Sequence, residues 1–221
     1  MLILNFKTYP ESTGENANKL LKAITNLIKK KPELGKLISC APSMLDLSTA
    51  KKQYRDINIM SQHVDTKLPG SSTGWITPEN LLLNEIQFSI YNHSEHRVWS
   101  DSIIQDIKDI QAKGIKLIVC CENVEEAKKL LEGQPYGIAF EPRELIGSGV
   151  SVTTRPDSVA EFTTAINGQA LAFIGAGVTN GEDIRNGMEL GADGALLASA
   201  FVRSPNPEEK ALELVEPLLK K

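Results

Sequence analysis

Apolar runs alternate with stretches of helical periodicity eight times along the 221 residues, and this predicts a closed barrel of eight parallel strands and eight helices, a (β/α)8 fold. Two further observations support it. Several of the strand-like runs end in polar clusters, which is where a parallel α/β fold exposes its chemistry. No low-complexity tract, linker or shift of composition divides the chain, so residues 1–221 are expected to form a single domain. The alternative is an open doubly wound sheet. Eight units in a chain of this length favour closure, with lean helices and connections.

The elements follow in order. Leu2 to Phe6 is the first strand, and Glu15 to Lys31 the first helix, with Leu20, Leu21, Ile24, Leu27 and Ile28 on one face. Leu37 to Cys40 is the second strand, followed by a short helical segment holding Leu45 and Leu47. Ile57 to Met60 is the third. An irregular loop from Val64 to Ile76 leads to Thr77-Pro78, a cap with proline at the first helical position. Ile86 to Ile90 is the fourth strand. Asp101 to Lys113 is a helix with Ile103, Ile104, Ile107 and Ile110 in register and Gly114 placed to end it. Ile115 to Cys120 is the fifth strand, Glu122 to Glu132 a helix, Tyr136 to Phe140 the sixth strand and Pro156 to Ile166 a helix. Ala170 to Ile174 is the seventh strand, Glu182 to Leu190 a helix, Gly194 to Leu197 the eighth strand and Pro207 to Leu219 the last helix.

Bulk composition excludes some functions. A net charge of −4 leaves no electrostatic footprint for nucleic acid, and 5% aromatic residues disfavour a base-stacking surface. Cys40, Cys120 and Cys121 are odd in number, lack zinc spacing and fit a reducing compartment. Cys120 and Cys121, adjacent on a strand, point to opposite sides and are read as packing. No apolar stretch approaches the roughly 20 residues needed to span a bilayer, and the N-terminus lacks a signal-peptide pattern. A soluble cytoplasmic protein with no metal and no organic cofactor is expected.

The polar strand ends carry the candidate chemistry. The first strand ends in Asn5-Phe6-Lys7, and the period of two places Asn5 and Lys7 on the same side. The third ends in Ser61-Gln62-His63. The fourth runs into Asn92-His93-Ser94-Glu95-His96-Arg97, where a core strand would ordinarily meet a Gly or Asn turn. By itself this heptad with Tyr91 reads equally well as a solvated loop capped at Ser94. The sixth strand ends in Glu141-Pro142, and the loop closes in Gly147-Ser148-Gly149, so a proline-led segment is hinged on glycines. The seventh runs into Gly175-Ala176-Gly177 and a helix start, and the eighth into Ala198-Ser199-Ala200. Small residues after strands seven and eight are where such barrels often hold a phosphate.

With these pieces in family order from the first strand to the last, the chain resembles triosephosphate isomerase in the short form found in archaea. The matching residues are Asn5-Phe6-Lys7, Asn92-His93-Ser94-Glu95, Glu141-Pro142 with Ile146-Gly147-Ser148-Gly149, Gly175-Ala176-Gly177 and Ala198-Ser199. The resemblance implies a TIM barrel and an aldose–ketose isomerase of glycolysis and gluconeogenesis acting on a triose phosphate. It implies Glu141 as general base, His93 as neutral electrophile and Lys7 as the balancing positive charge, with Asn5 in the same pocket. Glu95 becomes a supporting partner, and Pro142, Arg143, Glu144, Leu145, Ile146, Gly147 and Ser148 the lid. Ile146, Gly147, Gly175, Gly177, Ala198 and Ser199 are placed at the phosphate end. The loop around Thr73 would reach into a second subunit of a dimer or tetramer, with Trp75 in the contact. Strand seven lacks the Gly-Gly-Ser and strand eight the Gly-Gly of the common bacterial and eukaryotic pattern, which puts side-chain contacts to phosphate in doubt.

The chemistry suits these residue types. Removing a proton beside a carbonyl needs a carboxylate base and a donor matched to an enediolate, and a neutral imidazole serving there is the pattern described for this family. His93 is read as lying before a helix N-terminus, which would hold it neutral. Other phosphate-binding barrels stay open as alternatives. A metal-dependent epimerase would want His and Asp ligands at several strand ends, and a Schiff-base lyase a lysine on a middle strand, for which Lys116 lies at the wrong end. A barrel that binds a sugar phosphate without turnover is the non-enzymatic alternative. His63 and His96 are read as structural or solvated.

Overall fold

The computed structural model describes residues 1–145 and 150–220. Among them, eight short strands form the barrel wall: β1 (Leu2–Asn5), β2 (Ile38–Ala41), β3 (Asn58–Ile59), β4 (Phe88–Tyr91), β5 (Lys116–Cys121), β6 (Gly137–Phe140), β7 (Leu171–Ile174) and β8 (Gly194–Leu197). All are parallel, in the order β3-β2-β1-β8-β7-β6-β5-β4. The seam between β3 and β4 is joined by a single bridge, Ser61 to Ser89, flanked by Ser61 N–H donating to Phe88 C=O and Ile90 N–H to Ser61 C=O, both 2.9 Å. The third strand is thus shorter than its apolar run suggested. Met60 still donates to Cys40 C=O at 2.9 Å, but the chain then turns across to β4.

The period of two sorts the strand residues as expected. Ile3, Ala41, Met60, Ile90, Ile118, Cys120, Ala139, Phe173 and Leu196 fill the barrel interior. Their sequence neighbours, among them Leu2, Leu4, Leu117, Val119, Cys121, Ile138 and Ile174, face the helices. The interior is closed at the N-terminal end of the strands by Met1, Phe88, Tyr136 and Leu171. Lys116 lies there too, its Nζ 5.3 Å from the Phe88 ring and 5.2 Å from that of Tyr136.

The helices are α1 (Glu15–Lys30), α2 (Leu47–Gln53), α3 (Pro78–Leu83), α4 (Ile103–Ala112), α5 (Val124–Leu131), α6 (Pro156–Ile166), α7 (Gly181–Glu189), α8 (Ser199–Val202) and α9 (Pro207–Val215). On α1 the residues Leu20, Leu21, Ile24, Leu27 and Ile28 are all buried. At about 1.5–3 kcal/mol for each fully buried aliphatic side chain, this stripe and not helix propensity holds α1 in place. Three starts are capped as their sequences dictate. Thr77 Oγ1 accepts from Asn80 N–H, Asn123 Oδ1 from Glu126 N–H and Asn180 Oδ1 from Asp183 N–H, at 3.2, 2.8 and 2.9 Å.

Three further elements differ from the sequence reading. The last helix stops at Val215, not Leu219, because in a continued α-helix the ring of Pro217 would clash with the carbonyl of Glu213; the chain continues as a 3₁₀ turn. Leu45 lies outside α2 and is 93% exposed, whereas Leu47 is buried. The small residues after β8 wind into the one-turn helix α8.

Candidate active site

A cavity of about 230 Å³ opens at the C-terminal ends of the strands. Asn5, Lys7, His93, Glu95, Glu141, Gly177, Ala198 and Ser199 line it, together with Tyr9, Ala176, Val178, Thr179, Leu196 and Leu197. Residues from five strand ends therefore meet at one place. Ile146, Gly147 and Ser148 lie outside the described residues. Of the segment expected to form a lid, Arg143–Leu145 are a 3₁₀ turn after Pro142, with Leu145 buried and Glu144 paired with Arg155.

Lys7 is fixed from both sides. Its φ is +50°, a left-handed value that L residues rarely adopt. Asn5 Oδ1 accepts the Lys7 N–H at 3.0 Å, and Gln62 Nε2 donates to the Lys7 carbonyl at 2.9 Å and to that of Ala41 at 2.9 Å. The backbone polar groups of Lys7 are thus held by side chains, and its ammonium reaches Glu95 Oε1 at 2.7 Å. Glu95 is half exposed, so this pair is a solvated tether more than a source of stability. Gln62 was named in the sequence only as part of a strand end; its grip on Lys7 follows from the turn after β3 and has no signature in the chain.

Glu141 and His93 are both buried, 6% and 7% exposed. Glu141 Oε2 lies 3.5 Å from His93 Nε2 and accepts no hydrogen bond from the described residues. His93 Nδ1 accepts the backbone N–H of Glu95 at 3.2 Å. That bond requires a lone pair on Nδ1, which leaves the proton on Nε2, the nitrogen facing Glu141 and the cavity. The helix expected to act on His93 is not adjacent: α4 begins at Ile103, beyond a turn-rich loop. The tautomer is set by a backbone donor from that loop, and the helix N-terminus expected next to His93 is not there.

Two neighbours shape the Glu141 pocket. Cys120 projects into the barrel interior beneath it. Burial first, and then the Glu141 carboxylate beside it, pushes the Cys120 thiol well above its ordinary range, so the thiol stays protonated. Gly175 lies behind Glu141 and outside the cavity lining. A Cβ there would stand 2.5 Å from Glu141 Cγ and 2.8 Å from Oε1, so the absence of a side chain is what admits the carboxylate. Neither relation is visible in the sequence, since both depend on which strands become neighbours. Gly177, by contrast, has φ +68°, and a Cβ on it would meet the Val150 carbonyl.

Around the site, His63 is buried, bonds Asp65 Oδ1 through Nε2 at 3.0 Å and stacks on His96 with ring centroids 4.0 Å apart. Burial, partly opposed by Asp65, lowers the His63 pKa below its ordinary 6.5. Lys116 is at the opposite end of the barrel from the cavity, as its place in the strand indicated. Among the described residues no helix is long and apolar enough to cross a membrane.

A (β/α)8 barrel that gathers a carboxylate, an imidazole and an ammonium at the C-terminal ends of its strands is arranged as an enzyme of that fold class. The sequence profile of triosephosphate isomerase matches residues 1–216. The chain is 36% identical to the triosephosphate isomerase of Thermoplasma volcanium, over 97% of this chain and 99% of that one. It is 36% identical to that of Methanobrevibacter smithii, over 99% and 98%, and 34% identical to that of Methanocaldococcus jannaschii, over 98% and 99%. The chain belongs to the triosephosphate isomerase family and is an isomerase.

Proposed function

We propose that the protein interconverts dihydroxyacetone phosphate and D-glyceraldehyde 3-phosphate, with Glu141 as the base that moves a proton between adjacent carbons. The observation that carries this reading is the buried, unbonded Glu141 Oε2 placed 3.5 Å from the protonated Nε2 of His93. That oxygen has no partner among the described residues, so its lone pairs are free to take a proton from substrate. A substrate carbonyl in the cavity facing the two groups receives the Nε2–H while the neighbouring C–H faces Oε2. Loss of that proton gives an enediolate; a proton passes from the substrate hydroxyl oxygen to the former carbonyl oxygen, and Glu141 returns its own proton to the other carbon. Lys7, the one cation lining the cavity among the described residues, offsets the developing charge.

The phosphate end is assigned to the wall made by Gly177, Ala198 and Ser199, where short side chains leave the backbone within reach of ligand oxygens. Gly175 supports that wall from behind Glu141. Pro142 to Ser148 are assigned as the lid, and Glu95 as the partner that positions Lys7 through their 2.7 Å contact. No cofactor is invoked. The reaction places the protein in glycolysis and gluconeogenesis, in the cytoplasm. Exposed apolar residues around the third loop, Leu45 at 93%, Leu68 at 69%, Trp75 at 48% and Leu83 at 85%, support a homo-oligomer formed through the loop around Thr73. A monomeric mass in sedimentation would overturn that assembly.

The test of the reaction is isomerisation of glyceraldehyde 3-phosphate by the wild type and by Glu141→Gln. The variant should lose about 10²- to 10⁴-fold in kcat, the usual span of general-base catalysis, with KM little changed. Wild-type protein that folds but does not turn over triose phosphate would end this reading.

A further inference from the structure

We infer that Asn92 is a positioning residue that sets the distance between His93 and Glu141; the inference rests on the proposed roles of those two groups. Asn92 is completely buried and has φ +56°. The ladder between β4 and β5 ends with Tyr91 opposite Val119. At Asn92 the backbone turns away, and the side chain takes over the connection. Its Nδ2 donates to the Cys120 carbonyl at 2.9 Å, carrying the β4–β5 contact one residue further toward the mouth. Its Oδ1 accepts the Val98 N–H at 3.0 Å, closing the loop from 93 to 97 back on itself.

One amide therefore joins three things. It fixes the residue before His93. It holds the far end of the loop whose Glu95 N–H selects the His93 tautomer. It also grips the backbone of Cys120, next to Cys121, whose carbonyl accepts the Glu141 N–H at 2.9 Å. Base and electrophile sit on β6 and β4, with β5 between them, and Asn92 is the side chain that registers β4 on β5 at that level. Farther along, Arg97 anchors the same loop to α5 through Glu126, at 2.8 and 3.1 Å. That pair fixes the loop's outer end.

The left-handed region is open to Gly without steric cost and is tolerated by Asn and Asp better than by most residues. They separate the two roles. Asn92→Gly keeps the backbone turn and deletes both side-chain bonds. The expected result is a fall in kcat of about 10- to 100-fold with KM changed by less than about 2-fold, because reacting groups displaced by a fraction of an ångström lose alignment while binding contacts stay. ¹⁵N spectra of the imidazole should also show His93 shifting from a single Nε2–H tautomer to a mixture. Asn92→Asp keeps the acceptor for Val98 and loses the donor to Cys120; it should show the same kcat loss, and it carries the test if the glycine variant does not fold.

The control is His93→Gln, alone and combined with Asn92→Gly. If Asn92 acts through His93, the double variant is no slower than His93→Gln. If folded Asn92→Gly and Asn92→Asp keep the wild-type kcat while His93→Gln collapses it, the positioning role is overturned and the site reading stands. If His93→Gln itself retains the wild-type rate, the site reading fails first.

Discussion

Both ends of the barrel force non-glycine residues into the left-handed region, and they do so for opposite reasons. Among the described residues Glu85, Gln134 and Asn167 have φ of +59°, +53° and +46°, and each follows a helix at the N-terminal end of the strands. There the left-handed turn serves the backbone: their N–H groups bond back to Leu82, Leu131 and Thr163 at 2.9, 2.9 and 3.0 Å. The side chains are incidental, since Gly114 and Gly191 do the same work after α4 and α7. At the mouth, Lys7, Asn92 and Ala176 have φ of +50°, +56° and +67°. There the turn serves the site. It aims an ammonium, leads into His93, and puts the Ala176 carbonyl where Val152 N–H reaches it at 3.1 Å. Strain at one end terminates structure, and at the other it places chemistry.

Substitutions at the two ends separate these uses. The largest effect is expected where a glycine is required for closeness and not for φ. Gly175→Ala inserts a methyl 2.5 Å from Glu141 Cγ, and the carboxylate must move. kcat should fall by roughly 100-fold, the cost of misplacing a reacting group by about 1 Å, while the folded state survives with a modestly lower Tm. A normal kcat would mean that Glu141 tolerates displacement and that the mouth is less exacting than described. A smaller effect of opposite sign is expected at the closed end. Gln134→Gly relieves left-handed strain on an exposed side chain, offset by greater freedom of the unfolded chain, for a net gain of about 0.5–1 kcal/mol. Thermal or denaturant unfolding reads this, and kcat should not change. A loss of stability would show that Gln134 contributes more than a turn.

Much of this was legible in the chain. The alternation of apolar and amphipathic runs gave the barrel, and the parity of Asn5, Phe6 and Lys7 placed the amide and ammonium in the cavity with Phe6 outside. The same parity sorted Cys120 inward and Cys121 outward. What was not legible depends on contacts across strands. The thiol of Cys120 under Glu141, the space left by Gly175 and the grip of Gln62 on Lys7 arise only once β1, β3, β5, β6 and β7 are neighbours. The stop at Pro217 could have been read from the proline alone. The missing helix after His93 could not, because Ser94 and Glu95 look like a helix start and are instead held in a loop by Asn92 and Arg97.

The single bridge between Ser61 and Ser89 gives the barrel a clasp. Seven strand pairs are laced by ladders, and this one opens by breaking little more than the two bonds around Ser61. Amide exchange should find it first, at Ser61 and Ile90. The two lips of the clasp carry different cargo. On one side Gln62 steers Lys7; on the other β4 leads to His93, tied through β5 to Glu141 on β6. Breathing at the clasp therefore moves the charge relative to the proton-transfer pair while leaving the pair in step. The barrel's weakest join falls between two functions and cuts through neither.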